Sequence, residues 1–128
     1  MKKLLLIFTL LLTIIFSATS FAEWQYTSNN IDGTEYYIDF EKIRKHDGYV
    51  YTWILSDLLK PDKDGDLSYL SYWQIDCKLF RIMVLQEIYY KGPMGNGSFT
   101  ENNFQNPKWK FAPPDSAAEY NTKIICSR

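Results

Sequence analysis

The 128-residue sequence holds one histidine and two cysteines, so chemistry that needs a nucleophile and a base has few places to reside. His46 stands in Lys45-His46-Asp47-Gly48, where Asp-Gly marks a tight reversal. A general base needs a positioned partner and a cleft. A hairpin tip offers neither, so His46 reads as a solvated turn residue, and Ser/His/Asp and Cys/His arrangements fail with it. No feature of the sequence activates Cys77 as a thiolate. Carboxylates form two more candidate centres. Asp62, Asp64 and Asp66 alternate as in a calcium loop, but EF-hand spacing places Gly sixth and Glu twelfth, where Leu67 and Trp73 stand. A hydrated hairpin loop, with weak calcium binding at most, is the better reading. Glycoside hydrolysis would draw on Asp39, Asp76 and Glu87, yet nothing sets two of them at a defined distance, and Asp76 with Arg81 reads as a surface ion pair. The run Gly92-Pro93-Met94-Gly95-Asn96-Gly97 lacks the Gly-Lys-Ser/Thr ending and the βαβ unit of a phosphate cradle; it reads as a flexible hairpin tip. The expectation is no enzyme: no catalytic residue, no metal and no cofactor.

Aromatic surface is the more informative resource. The sequence has 10 Tyr, 8 Phe and 4 Trp, and a sheet face lined with such rings is a platform for stacked ligands or protein partners. Trp53 and Trp73 are expected in the core, whereas Tyr72, Tyr89 and Tyr90 are expected to be partly exposed.

The compartment follows from the first 22 residues. Lys2 and Lys3 precede an apolar run, Leu4 to Phe16, too short to span a bilayer comfortably, and Ser20 and Ala22 suit signal peptidase. Residues 1–22 are read as a signal peptide cut after Ala22, and 128 less 22 leaves 106 residues, 23–128, one domain with one core. Leaving out Lys2 and Lys3 takes the 14 basic side chains to 12, against 15 acidic ones, a charge near −3. A polyanion such as DNA or RNA is therefore not an expected partner. No later stretch approaches the ~20 apolar residues of a membrane span, and no cysteine in the cleavage region offers a lipid anchor. The expected location is the periplasm, or the cell surface and medium. In such an oxidising space Cys77 and Cys126 are expected to form one disulfide, with two free buried thiols or a metal pair as the alternatives.

The elements that would carry these residues read mostly as strands. Glu23 to Thr27 alternates at a strand's period, Asn29 to Gly33 reverses the chain, and Thr34 to Asp39 is a second strand. Phe40 to Arg44 suits one helical turn capped by Asp39. Tyr49 to Ser56 is apolar on both faces, as a central strand is, with Tyr49, Tyr51, Trp53 and Leu55 opposite Val50, Thr52 and Ile54. Leu67 to Cys77 puts Tyr69, Ser71, Trp73, Ile75 and Cys77 on one side. Leu79 to Tyr90 pairs with it through a turn near Lys78, and a sixth short strand is expected at Pro107 to Phe111. Pro113-Pro114-Asp115-Ser116 announces a helix whose stripe is Ala117, Tyr120, Asn121, Ile124 and Ile125. The class is α+β: one antiparallel sheet of about six strands with a C-terminal helix on one face, tied to the Trp73 and Ile75 side by the disulfide.

Tyr36-Tyr37-Ile38-Asp39, Ile43-Arg44, Gly48, Tyr51-Thr52-Trp53, Ser68-Tyr69, Asp76-Cys77 and Arg81 resemble, in order and spacing, the surface-adhesin protein E family of small exported bacterial proteins. Tyr89 to Gly95, Trp109, Pro113 to Ser116 and Cys126 continue the likeness over nearly the whole of residues 23–128. The resemblance implies an antiparallel sheet whose concave side holds a disulfide-tied C-terminal helix. It also implies a non-enzymatic role, adhesion to extracellular-matrix or plasma glycoproteins. The leading expectation is a module that binds an extracellular-matrix or envelope protein through a sheet face or the glycine-rich loop, with Tyr89, Tyr90 and Met94 as contact residues. The alternative is a periplasmic protein that binds a small molecule or glycan on the concave face, for which a pocket between helix and sheet is the discriminating feature. Sheet edges make a homodimer plausible.

Overall fold

A computed structural model describes residues 22–128; the leader and its removal lie outside the described residues, apart from Ala22 itself. Seven strands form one antiparallel sheet: β1 (Gln25–Asn29), β2 (Glu35–Ile38), β3 (Arg44–His46), β4 (Tyr49–Asp57), β5 (Ser68–Asp76), β6 (Arg81–Tyr90) and β7 (Phe99–Asn103). The order across the sheet is β1-β2-β4-β5-β6-β7, with β3 also paired to β4. Among the described residues there is one α-helix, α1 (Ala117–Cys126), at the end of the chain.

Local chemistry explains the joints. Asn30 Oδ1 accepts from the amides of Asp32 and Thr34, at 3.0 Å each, and so shapes the β1–β2 reversal. Between β2 and β3 lies one 3₁₀ turn, Phe40–Lys42, and the Asp39 carboxylate accepts from the Glu41 amide at its start. The turn lets β2 and β3 run along the same edge of β4: Ile38 faces Ile54, and Arg44 faces Tyr51. Asp47 and Gly48 both have positive φ, 50° and 81°, the pair that a two-residue primed hairpin turn demands. Arg44, expected at the end of the helical turn, belongs to β3 because this hairpin gives its backbone a partner.

The core lies between α1 and one face of the sheet. Ile38, Val50, Ile54, Trp73, Ile75, Ile82 and Ile125 form a buried cluster. Cys77 and Cys126 are joined with Cα atoms 5.7 Å apart, so the end of α1 is fastened beside the end of β5 as expected. The helix starts at Ser116, whose hydroxyl accepts from the Glu119 amide.

Three expectations need correction. Residues 107–111 form no strand; only Lys110 bridges to Ile82, while β7 at Phe99–Asn103 completes the sheet. The polar sequence Thr-Glu-Asn-Asn hides that strand, because an edge strand paired on one side and exposed along its length needs no apolar pattern. The buried side of α1 carries Asn121, Thr122 and Ile125, whereas Tyr120 is 50% exposed. Polar residues take the inward positions because β1 meets the helix with Thr27 and Ser28, whose hydroxyls need partners. Trp53 is half-buried on the sheet face opposite the helix, while Trp73 is buried beneath the helix.

Candidate functional site

The sheet separates two surfaces because residues paired directly across strands share a face. On the helix side, Tyr36 and Ser56, Tyr69 and Tyr89, and Ser71 and Glu87 are opposed. On the other side no helix is laid down among the described residues, and aromatic rings run along the sheet. Tyr26 meets Tyr37 edge to face, Trp53 stacks on Tyr72 with centroids 4.8 Å apart, Tyr51 lies 6.1 Å from Tyr72, and Tyr90 lies 5.7 Å from Phe99. Most of these rings are half-buried, while Tyr26 and Phe99 are more than half exposed. Such offset rings are rigid and present large apolar area at little cost in entropy.

The expected contact residues do not fall on one patch. Tyr89 lies on the helix side, where its hydroxyl donates to the Glu87 carboxylate. Burial, reinforced by that carboxylate, holds the Tyr89 phenol well above its ordinary range, so it remains a donor. Tyr90 is on the opposite face, against Phe99. Beside it the 3₁₀ turn Pro93–Gly95 folds back over the sheet and seals Leu55. Met94, at φ 53°, is fixed there by its amide, which donates to Asp57 Oδ1 at 2.7 Å. The glycine-rich tip is a built turn: the Ser68 hydroxyl donates to Gly92 O at 2.6 Å and accepts from the Gly95 amide at 2.8 Å. Tyr90 and Met94 thus extend the uncovered aromatic face, and Tyr89 does not.

On the helix side a cleft of about 290 Å³ opens between α1 and the segment 110–113. Its walls include Tyr36, Tyr69 and Trp73, with Glu87 on one side and Asn121 on the helix. Desolvation raises the Tyr36 and Tyr69 phenols, so both keep their protons. A second cavity of about 290 Å³ adjoins it, sharing Val84, Glu87 and Lys110 and reaching Phe104 and Pro107. The pocket that sequence reasoning set as the test for a small ligand is therefore present. Its outer wall was not legible, since residues 104–113 cross the sheet edge as a strap held by the Phe104 amide to Leu85 O and by paired bonds between Ile82 and Lys110. Trp109 pins that strap between Tyr49 and the Arg81 guanidinium.

The other candidate centres resolve as structural. His46 is exposed and pairs only with its neighbour Asp47, at 3.0 Å. Asp76 is nearly buried, bound by Arg81 Nε at 3.0 Å and by the amides of Lys78 and Leu79. The Leu79 amide above all, opposed by desolvation and aided by Arg81, holds its carboxyl below the usual range. Asp39 caps the 3₁₀ turn and accepts from the Glu23 amide at 3.0 Å. Asp62, Asp64 and Asp66 converge within 4.8 Å. The Lys91 ammonium lies against them, 2.9 Å from Asp66 and 2.7 Å from Asp64 O, which places a cationic side chain of the chain itself at the cluster. Its bond to Asp66, against some desolvation, raises the Lys91 ammonium above its ordinary range.

A seven-stranded antiparallel sheet, one face partly covered by a disulfide-tied terminal helix and the other lined by aromatic rings, defines a small single-layer scaffold. The chain belongs to the surface-adhesin protein E family, whose model matches residues 24–127. The fold is that of Haemophilus influenzae protein E: crystal form II superposes with a TM-score of 0.64 at 19% identity, covering 85% of this chain and 91% of that one. The protein E structure from non-typeable Haemophilus influenzae gives 0.59 at 18% identity, over 87% and 79% of the two chains. No curated protein matches the chain. Membership of the family supports an adhesin-like, exported protein. Among the described residues no helix is long and apolar enough to cross a membrane.

Proposed function

We propose that the protein is a non-enzymatic binding module, exported by residues 1–22, that adheres to an extracellular-matrix or envelope protein by protein–protein contact. The uncovered aromatic face of the sheet is the contact surface, with Trp53 and Tyr72 at its centre and Tyr90 and Met94 at one end. One observation carries the reading: α1 covers a single face, and the opposite face bears the stacked Trp53–Tyr72 pair flanked by Tyr51, Tyr26 and Tyr37. Rigid aromatic clusters of this kind supply the few anchors that dominate an interface, where each truncation costs about 2 kcal/mol or more.

The test is binding of the purified domain to an immobilised panel of extracellular-matrix and envelope proteins. Tyr51→Ala with Tyr72→Ala is expected to weaken binding about 30-fold or more, since 1.4 kcal/mol is tenfold, and Tyr90→Ala with Met94→Ala is expected to weaken it less. Tyr89→Ala is expected to leave it unchanged. Full binding by a folded Tyr51/Tyr72 variant rejects this surface. A panel without any binding partner rejects the adhesive reading.

A further inference from the structure

Unpaired charge and exposed apolar surface coincide at one corner of the sheet. The tip between β5 and β6 reads Lys78-Leu79-Phe80, not the Gly, Asn or Asp that a sharp reversal favours. Phe80 nevertheless holds a left-handed backbone, φ 55°, a conformation that strains a bulky residue and persists only where its surroundings enforce it. The enforcing group is the nearly buried Asp76 carboxylate, which accepts from the amides of Lys78 at 3.1 Å and Leu79 at 3.2 Å and from Arg81 Nε at 3.0 Å. The tip is therefore built, and it presents Leu79, 58% exposed, beside an exposed lysine.

The strap meets the same corner. Lys110 and Ile82 exchange both backbone hydrogen bonds, at 2.8 and 2.9 Å, and the Arg81 guanidinium stands 4.5 Å from the centroid of Trp109. Asp76, Arg81 and Trp109 thus join the tip to the strap. Here the strap reads Lys108-Trp109-Lys110-Phe111, cations alternating with rings, and Phe111 is 70% exposed. From Asn102 to Pro114 the sequence has no acidic residue. Among the described residues no carboxylate pairs with Lys78, Lys108 or Lys110, whereas Lys91 and Lys123 are both paired.

The acidic groups gather at the far end of the strands. Asp62, Asp64 and Asp66 lie in the loop before β5, and Glu35 faces Asp57 at that same end. The nine residues of β5 set this end about 30 Å from the tip. A chain that is acidic overall therefore carries a basic corner and turns its acid away from it. A surface that fits the corner is anionic and also offers an apolar layer to Leu79 and Phe111. A sulfated polysaccharide supplies the charge without that layer, whereas phospholipid headgroups over acyl chains supply both.

We propose that the Lys78–Phe80 tip and the Lys108–Phe111 strap together dock the protein on a membrane surface rich in anionic phospholipid. Leu79 and Phe111 enter the boundary between headgroups and acyl chains, Trp109 lies at headgroup level, and Lys78, Lys108 and Lys110 meet the phosphates. The attachment is peripheral and reversible. It goes beyond the protein-contact surface centred on Trp53 and Tyr72, and uses none of those residues.

The test is co-sedimentation of the exported protein with vesicles of phosphatidylglycerol and phosphatidylcholine in equal parts, or of phosphatidylcholine alone. The disulfide is kept intact, and mass spectrometry verifies that the apolar leader, which would itself enter lipid, is absent. Binding to the mixed vesicles is expected to be at least about tenfold tighter than to phosphatidylcholine alone, and to weaken as salt screens it. Lys108→Gln with Lys110→Gln is expected to weaken it about 25-fold, at about fivefold for each lysine near an anionic surface. Leu79→Ser is expected to weaken it about tenfold. All three side chains are exposed and Lys110 bonds Ile82 through its backbone, so the thermal midpoints should hold; should Leu79→Ser lower its own, Phe111→Ser takes its place. Lys60→Gln with Lys63→Gln, in the acidic loop, is expected to leave binding unchanged. Equal binding to both vesicles, unaltered binding by the Lys108/Lys110 or the apolar variant, or an equal loss in the Lys60/Lys63 variant overturns the proposal. So does tighter binding to soluble heparin that survives Leu79→Ser, which makes the partner a sulfated polysaccharide. Binding of an immobilised protein through Tyr51 and Tyr72 involves no lipid, so the two readings fail separately.

Discussion

Replacing Cys77 and Cys126 together by alanine tests how the thin domain is held. The bond closes a loop whose ends are 49 residues apart. In the chain-entropy account, closing a loop of that length removes about 14 cal/mol/K from the unfolded ensemble, or about 4 kcal/mol at 25 °C. A domain of this size is stable by only about 5–15 kcal/mol, so the double variant is folded but marginal. Alanine is preferable to serine because both sulfurs sit among partly buried apolar groups, where a hydroxyl would need a partner. Urea unfolding should show the midpoint falling by more than about 1 M at a slope of about 1–3 kcal/mol/M. The native contacts of α1 do not depend on the bond: Ile125 stays in the core, Asn121 stays on Thr27, and Ser116 still caps the helix. Hydrogen exchange of the α1 amides should therefore quicken only in proportion to the global loss. A stability change under about 1 kcal/mol refutes the entropic reasoning. So does an α1 that exchanges far faster than β5, because the bond would then be acting in the folded state.

Two further perturbations probe the carboxylates. Asp76 has a folded pKa below its unfolded value of about 3.9, so its contribution is complete above that value and is lost as pH falls through it towards the lower folded value. Thermal midpoints of wild type and Asp76→Asn should thus differ at pH 7 and converge below about pH 4; a gap that is constant down to pH 2 rejects the assignment. If the leader is cut after Ala22, the amide nitrogen that now lies 3.0 Å from Asp39 Oδ2 becomes the terminal ammonium. Asp39→Asn should then cost about 1.5–3 kcal/mol, the range for a charged hydrogen bond. The same substitution in a domain starting one residue later should cost less, as measured by urea unfolding of both forms.

Periodicity made the interior of the sheet legible and left its margins obscure. β4, β5 and β6 announce themselves because a strand with neighbours on both edges and a packed face must be apolar along its length. The Asp-Gly hairpin, the Asp39 cap and the Ser116 start were legible because each is a local backbone requirement met by one or two residue types. β7 was not, since Phe99–Asn103 is exposed throughout and only its pairing to β6 makes it a strand. The division of the aromatic residues needs register. Tyr89 and Tyr90 are neighbours in sequence and opposite in space, and assigning each to a face requires knowing that Tyr89 meets Tyr69 while Tyr90 meets Ser68. The cleft was legible only as a question, because its outer wall is a strap without periodicity.

Geometry accounts for both surfaces from one shortage of material. A helix of 10 residues is about 15 Å long and about 10 Å wide. The sheet path of six paired strands spans five gaps of about 4.8 Å, and strands of nine residues run close to 30 Å. One helix cannot cover even one face of such a sheet. The chain sets α1 against β1, with Ile125 in the core and its last residue tied to the end of β5, and returns residues 104–113 over the free edge of β6 as a second cover. A gap between the two covers is what remains over Trp73, Val84 and Glu87, and it is walled on one side by the helix carrying Asn121. The opposite face receives the short Pro93–Gly95 turn over Leu55, Trp109 against Tyr49, and the segment at Trp24 beside Trp53, and no helix among the described residues lies on it. A helix added to either face would bury the surface on that face. Both surfaces thus follow from laying one helix, among the described residues, on a sheet this wide: tyrosines and tryptophan line one side, and a cleft beside Glu87 remains on the other.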